Sequence, residues 1–267
     1  MMEIIRSKPS PTPVKAVMLD FDGTISTLRH GWEKIMAPLM IRHLGPQSAE
    51  MVRDYIDLST GIQTIHQMKW LAQHVQQRCG SALDPWEYKE EYNSLLMVSV
   101  EKNLKELERG TFSPESFLVA GARPFLEKLK ELGIAVHVAS GTDDPDVKHE
   151  ARALGLSHLI NSIHGAPLLQ EACSKEKVMR DLAAYEGFGG DEVCVIGDGK
   201  VEISLGRELG ARCLGIASNE ETRSGINPAK RERLLCAGAE AITGDFLQLD
   251  AILAWMNLEG ERIDDLP

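Results

Sequence analysis

No apolar run in the 267-residue chain approaches the ~20 residues that a helix needs to cross a bilayer. The opening "MMEIIRSKPSPTP" also lacks the apolar core of a secretory signal. These absences predict a cytoplasmic protein with no membrane anchor. Cysteine is sparse: Cys79, Cys173, Cys194, Cys213 and Cys236 are an odd number at wide spacings, without a C-x-x-C pair. A secreted disulfide framework is therefore excluded, and reduced thiols, mostly in the core, are predicted. Positive charge is short as well, with 29 Lys and Arg against 40 Asp and Glu and a formal charge of -11. That balance argues against a general affinity for nucleic acid or anionic membrane surfaces, so an anionic substrate needs a local exception to the field. Repeats and low-complexity tracts are missing too.

What the chain does have is an ordinary apolar content of 43% and a marked change of pattern. "AVML" after the proline-rich start reads as a short strand buried on both faces. From about Trp32 to Arg109 the apolar residues fall at helical spacing, with turn signals at Gly45-Pro46, at "STG" and at Asp84-Pro85. From Ala122 onward helices alternate with strands, among them "IAVHVAS", "EVCVIGD" and "ARCLGIAS". This alternation predicts an α/β fold, a doubly wound parallel sheet of Rossmann-like form, with an all-helical insertion after the first strand. The predicted boundaries are 1–28 and 116–267 for the sheet domain and 29–115 for the helical one, joined through "STLRHG" and "ERGTFSPES".

Ligands of doubly wound sheets bind at the carboxyl ends of the strands. Those ends carry Asp20 and Asp22, then Ser140, Gly141 and Thr142, then Asp198. Residues two apart in an extended chain point the same way, so both carboxylates of "LDFDGT" face one small volume. A hard divalent cation with oxygen ligands, Mg²⁺ above all, relieves their repulsion and recruits Asp198. Gly23 allows backbone to approach an oxyanion, and Thr24 suits the turn. The hydroxyls of Ser140 and Thr142, with Gly141 ahead of a helix N-terminus, suit a phosphate. Lys175 adds a point charge. Lys177 competes for that role, and Lys175 is preferred because it lies at the helix start.

Together these motifs resemble the haloacid dehalogenase superfamily of phosphotransferases. "LDFDGT" is similar to its first motif, "VASG" to its second, Lys175 to its third and "VIGDGKVE" to its fourth, in the family's order. The helical insertion resembles the cap found in phosphoglycolate phosphatase and β-phosphoglucomutase. The resemblance implies that Asp20 is the nucleophile and Asp22 the general acid and base. It also implies that Asp20, the Asp22 carbonyl and Asp198 hold Mg²⁺, and that Ser140 and Lys175 hold the phosphoryl group. Glu202, four residues after Asp198, stands where the family usually has a second aspartate, within reach of the metal or its water. An aspartate at 22 argues for phosphate-ester chemistry, since members that cleave carbon–halogen or carbon–phosphorus bonds lack it.

The implied activity is hydrolysis of a small phosphorylated metabolite, with a phosphomutase or a non-catalytic binding module as alternatives. In the insertion, "LSTGIQT" either caps one helix and starts the next or dips toward Asp20, which makes Thr60, Gly61 and Gln63 the candidates for substrate contact. Other groups read as structural. Asp144 and Pro145 fit a helix cap, His66 and His74 fit a helix surface, Trp32, Trp70 and Trp86 fit helix anchors, and "AKRER" fits a solvated face. Nothing in the periodicity demands an oligomer.

Overall fold

The computed structural model describes residues 1–6, 11–169 and 175–258. Strand β2 (Ala16–Leu19) is buried over its whole length and lies between two parallel neighbours, β3 (Ala135–Asp143) and β5 (Val193–Gly197). A strand covered on both faces gains nothing from polar alternation, which is why "AVML" and "VCVIG" are unbroken apolar runs. Beyond β3 lies β4 (Ser162–Ala166). Beyond β5 lie β6 (Arg212–Ile216) and β7 (Ala241–Thr243), again parallel. A two-residue β1 (Glu3–Ile4), too short to leave a periodicity, pairs antiparallel with β7 at the edge. The order is β1-β7-β6-β5-β2-β3-β4. The chain winds outward from β2 through β3 to β4, then crosses back to β5 on the other side. Strand order therefore reverses beside β2, and the crevice for a ligand opens at its carboxyl end.

The predicted helical insertion folds as α1 (Glu33–Leu44), α2 (Ala49–Leu58), α3 (Thr64–Cys79) and α4 (Pro85–Glu108). In α4 the residues Tyr88, Tyr92, Leu96, Val100 and Leu104 are buried at every fourth position, one apolar stripe turned toward the other helices. Its start is set by Asp84, whose side chain accepts from the Trp86 amide at 2.9 Å, with Pro85 in the first turn. The chain's exit to these helices and its return run side by side: the Thr27 amide donates to Phe117 and the Val119 amide to Ile25, each at 2.9 Å. One continuous apolar cluster joins Val17, Leu19 and Phe21 of the sheet region to Met36, Met68 and Tyr88 of the helices.

The sheet is flanked by α5 (Ala122–Glu131), α6 (Asp144–Ala153), α7 (Lys175–Glu186), α8 (Lys200–Glu208), α9 (Pro228–Ala237) and α10 (Leu249–Trp255). No helix among the described residues is long and apolar enough to cross a membrane. Two local readings need correction. Strand β3 continues through Ser140–Thr142 to Asp143 by shifting register against β4, so Asp143 rather than Asp144 precedes α6. Asp144 instead ties the helix to the sheet, accepting from the Gly165 amide at 3.0 Å. The thiols are free, but only Cys194 and Cys213 are buried; Cys79 and Cys236 are exposed, and Cys173 lies outside the described residues.

Candidate active site

One residue past β2, the Asp20 amide still donates to the Ile196 carbonyl, at 2.9 Å, so the strand geometry is carried into the site. Phe21 is fully buried on the opposite side, and Asp20 and Asp22 both enter the wall of one cavity. Gly23 follows at φ +74°, and a Cβ there would stand 2.3 Å from Asp198 Oδ2, so only glycine fits. Its amide donates to the Ser26 carbonyl at 2.8 Å and closes the turn. Thr24, read as the turn's fixing residue, is buried, and its hydroxyl has no hydrogen-bond partner among the described residues.

Lys175, the first residue of α7, donates from Nζ to Asp20 Oδ1 at 2.7 Å and also to Glu202. The side chain of its rival, Lys177, lies outside the described residues. Glu202 sits in the first turn of α8, so the glutamate at the fourth motif meets the lysine of the third. Burial, reinforced by Glu202 and Asp198, pushes the Asp20 carboxyl well above the usual range despite Lys175. Burial raises Asp198 too, against the pull of Lys230. Glu202 goes the other way: burial opposes its ionisation, but Lys175 holds it below the ordinary value. Burial would discharge Lys175, and Asp20 and Glu202 more than reverse that.

Carboxylate oxygens of Asp20, Asp198 and Glu202, all buried, lie within 4.8 Å of one another, and Glu202 Oε2 has no hydrogen-bond partner among the described residues. An all-oxygen set with surplus negative charge fits a hard divalent cation. Neither His66 nor His74 belongs to this cluster; the His74 ring bonds the Trp70 carbonyl at 2.8 Å.

Asp22 has different neighbours. Its Oδ2 accepts from Thr142 Oγ1 at 2.8 Å and from Ser140 Oγ at 3.3 Å, so both hydroxyls read as phosphate donors here orient a carboxylate. Its Oδ1 lies 4.0 Å from Arg29 Nε. Arg29 is itself buried and held by Glu150 through Nε at 2.9 Å and Nη2 at 2.6 Å. Burial pushes Glu150 up to about 7 in spite of that partner. Gly141 gives room to the insertion: a Cβ there would lie 3.1 Å from the Ile62 carbonyl.

The loop between α2 and α3 does reach the site. Thr60, Gly61 and Ile62 line the cavity with Asp20 and Asp22, whereas Gln63 does not; its amide is buried without a hydrogen-bond partner among the described residues. Trp32, read as a helix anchor, lines the cavity as well. Trp32 and Trp70 both pack against the main core, as anchors do, and Trp70 is also stacked on Tyr55 with ring centroids 3.8 Å apart.

The "AKRER" segment is not a solvated face. Lys230 is 7% exposed and bonds Asp198 Oδ2 at 2.6 Å, Glu220 Oε1 at 2.6 Å and Ser218 Oγ at 3.1 Å. Arg231 pairs with Glu3 at 2.7 Å. Arg233 spans the two parts of the molecule, donating to Asp57 of α2 at 2.9 Å and to the Asp198 carbonyl at 3.3 Å. Asp143, the residue before α6, receives Lys89 of α4 at 2.5 Å. Burial alone would raise Glu220, but His30 and Lys230 bring it down to about 2. No sequence signal separates Arg29, Lys89, Glu220 or Lys230 from other surface-type residues.

A family model for haloacid dehalogenase-like hydrolases matches residues 14–210. A phosphoglycolate phosphatase of Synechococcus elongatus is 22% identical over 223 residues, spanning 83% of this chain and 92% of that protein. Among solved structures, a predicted phosphoglycolate phosphatase from Haemophilus somnus superposes with a TM-score of 0.62 at 18% identity, covering 90% of this chain and 98% of its own. A β-phosphoglucomutase from Clostridium difficile gives 0.61 at 13% identity, with 91% and 97% covered.

Proposed function

Because the chain belongs to the haloacid dehalogenase-like hydrolase family, we propose that it is a Mg²⁺-dependent phosphatase acting on a small phosphomonoester through an aspartyl-phosphate on Asp20. The observation that carries this reading is the pairing of Asp20 with Lys175 at 2.7 Å beside the oxygens of Asp198 and Glu202. Asp20, Asp198 and the Asp22 carbonyl would hold the ion, with Glu202 behind them, and the ion would supply positive charge for the phosphoryl oxygens.

Asp20 attacks phosphorus while Asp22, acting as general acid, gives a proton to the departing ester oxygen. Asp22 then takes a proton from water, whose oxygen attacks the same phosphorus, releases phosphate and restores Asp20. Ser140 and Thr142 aim Asp22 at that task, and Lys175 offsets charge on the phosphoryl group. Residues 29–115 serve as the cap, whose loop at Thr60–Ile62 covers the site.

Asp20→Asn removes the nucleophile at constant volume. Turnover of a generic aryl phosphate in Mg²⁺ falls on the order of 10⁴-fold or more, with an unchanged circular dichroism spectrum; retention of activity overturns the reading. Release of inorganic phosphate, as opposed to an isomeric ester, separates hydrolysis from phosphomutase chemistry on the same substrate.

A further inference from the structure

Resting on the phosphatase reading, we propose that the substrate's leaving group is small and uncharged, an alcohol or polyol whose ester carries no second anionic group. The cavity that holds the reacting carboxylates takes its apolar lining mainly from Trp32, Ile62, Tyr92 and Leu96. Its remaining hydrogen-bonding side chains include Thr64, Gln67 and Asn93, all neutral. Such a wall accepts the carbon skeleton and hydroxyls of a small alcohol. The cavity volume is about 100 Å³, well below the roughly 300–1,000 Å³ of sites for drug-sized ligands.

Charge decides against an anionic leaving group. Among the described residues only two cations, Lys175 and Arg29, line the cavity, against five carboxylates: Asp20, Asp22, Asp143, Asp198 and Glu220. Lys175 is committed to Asp20 and Glu202. Arg29 is committed to Glu150 at 2.6 Å and to Asp146 at 3.4 Å, with Asp22 at 4.0 Å. Lys89 is bonded to Asp143 and Lys230 to Asp198 and Glu220, and neither lysine is among the residues that line the cavity. A divalent cation adds charge only where the phosphoryl group binds. A carboxylate on the leaving side would lose its water and meet like charge, with no free cation among the described residues to receive it. This chain's pocket thus differs in kind from one built for phosphoglycolate, whose leaving group is a carboxylate-bearing alcohol.

The test compares two esters of nearly equal size, 2-hydroxyethyl phosphate and 2-phosphoglycolate, with the native enzyme in Mg²⁺, following phosphate release. We expect kcat/KM to favour the hydroxyethyl ester by roughly 10²-fold. Thr64→Lys, which brings an ammonium to the wall, is expected to narrow that ratio at least about fivefold, in the direction of phosphoglycolate. Equal rates, a preference for phosphoglycolate, or a ratio that Thr64→Lys leaves unmoved overturns the proposal. Failure of the underlying reading looks different: neither ester nor an aryl phosphate is cleaved, or Asp20→Asn cleaves them all as well as the native enzyme.

Discussion

Lys175 and Lys230 stand on two sides of the same carboxylate cluster, and each joins two acids: Lys175 holds Asp20 and Glu202, Lys230 holds Asp198 and Glu220. Both are buried, and in both the adjoining carboxylates outweigh burial and secure the charged form. They differ in what lies in front of them. Lys175 forms part of the cavity wall and Lys230 does not. The first is therefore open to a ligand in the cavity, while the second holds one oxygen of Asp198, at 2.6 Å. An ammonium buried between carboxylates is thus no sign of catalysis in itself. On the proposed function, access to the cavity separates a group able to touch the phosphoryl from one able only to position its neighbour.

Substitution can break this comparison, and the largest effect belongs to Lys175. In Lys175→Met, kcat for phosphate release falls on the order of 10²–10³-fold, because a fixed charge at the transferring group is lost. Activity within tenfold of native would transfer the role to Lys177. Lys230→Met costs less in turnover, about tenfold, but raises the Mg²⁺ concentration for half-activation by roughly 10–100-fold, since Asp198 loses its orienting partner. A Mg²⁺ titration of activity reads both numbers. Equal losses in the two variants would erase the distinction drawn from cavity access.

Metal removal sharpens the comparison from the side of the acids. Asp20 and Asp198 have folded-state values raised above those of the unfolded chain, by burial first. Their contribution is fully present below the unfolded carboxylate range near pH ~4 and is lost as pH rises through the folded values. The metal-free protein should therefore lose Tm over that interval as pH rises. Mg²⁺, which favours the ionised acids, should raise Tm more at pH 8 than at pH 5, as differential scanning fluorimetry can measure. A Mg²⁺ shift independent of pH would mean that these acids do not receive the ion.

The smallest effect is expected at the contact between α2 and α9. Asp57 is paired with Arg233 at 2.9 Å, but its side chain is 63% exposed, and exposed pairs contribute only about 0–1 kcal/mol. Asp57→Asn should change kcat/KM by less than about threefold and leave Tm nearly constant. A larger loss would make Arg233 a true latch between the helices and the sheet.

How much of this was legible beforehand follows from the range of each physical signal. The buried runs "AVML" and "VCVIG" and the four-residue spacing in α4 report burial within their own elements, so the alternating sheet and the inserted helices could be read directly. The two-residue β1 was missed because its partner, β7, lies over 230 positions away. Among the site residues, Asp20, Asp22, Ser140, Lys175 and Asp198 each stand at a strand end or helix start, where a local pattern marks them. Asp143 also stood in such a place, but it belongs to the acidic run whose Asp144 and Pro145 fit a helix cap, and only the fold brings Lys89 of α4 to it, at 2.5 Å.

The sequence by itself determined the parallel sheet, the place of the helical insertion and the convergence of two acids, two positions apart, on one volume. Those features depend on periodicity and on the fixed direction of side chains along a strand, which are properties of neighbours in the chain. Tertiary structure alone decided that Lys230 is a buried counter-charge and no solvated helix residue, that Arg29 is committed to Glu150 121 positions away, and that Trp32, Ile62, Tyr92 and Leu96 share one cavity with the site's carboxylates. The reason is that an ion pair's burial and partners are set by whichever elements the fold brings together, and a charged residue carries the same letter whether it faces water or a carboxylate.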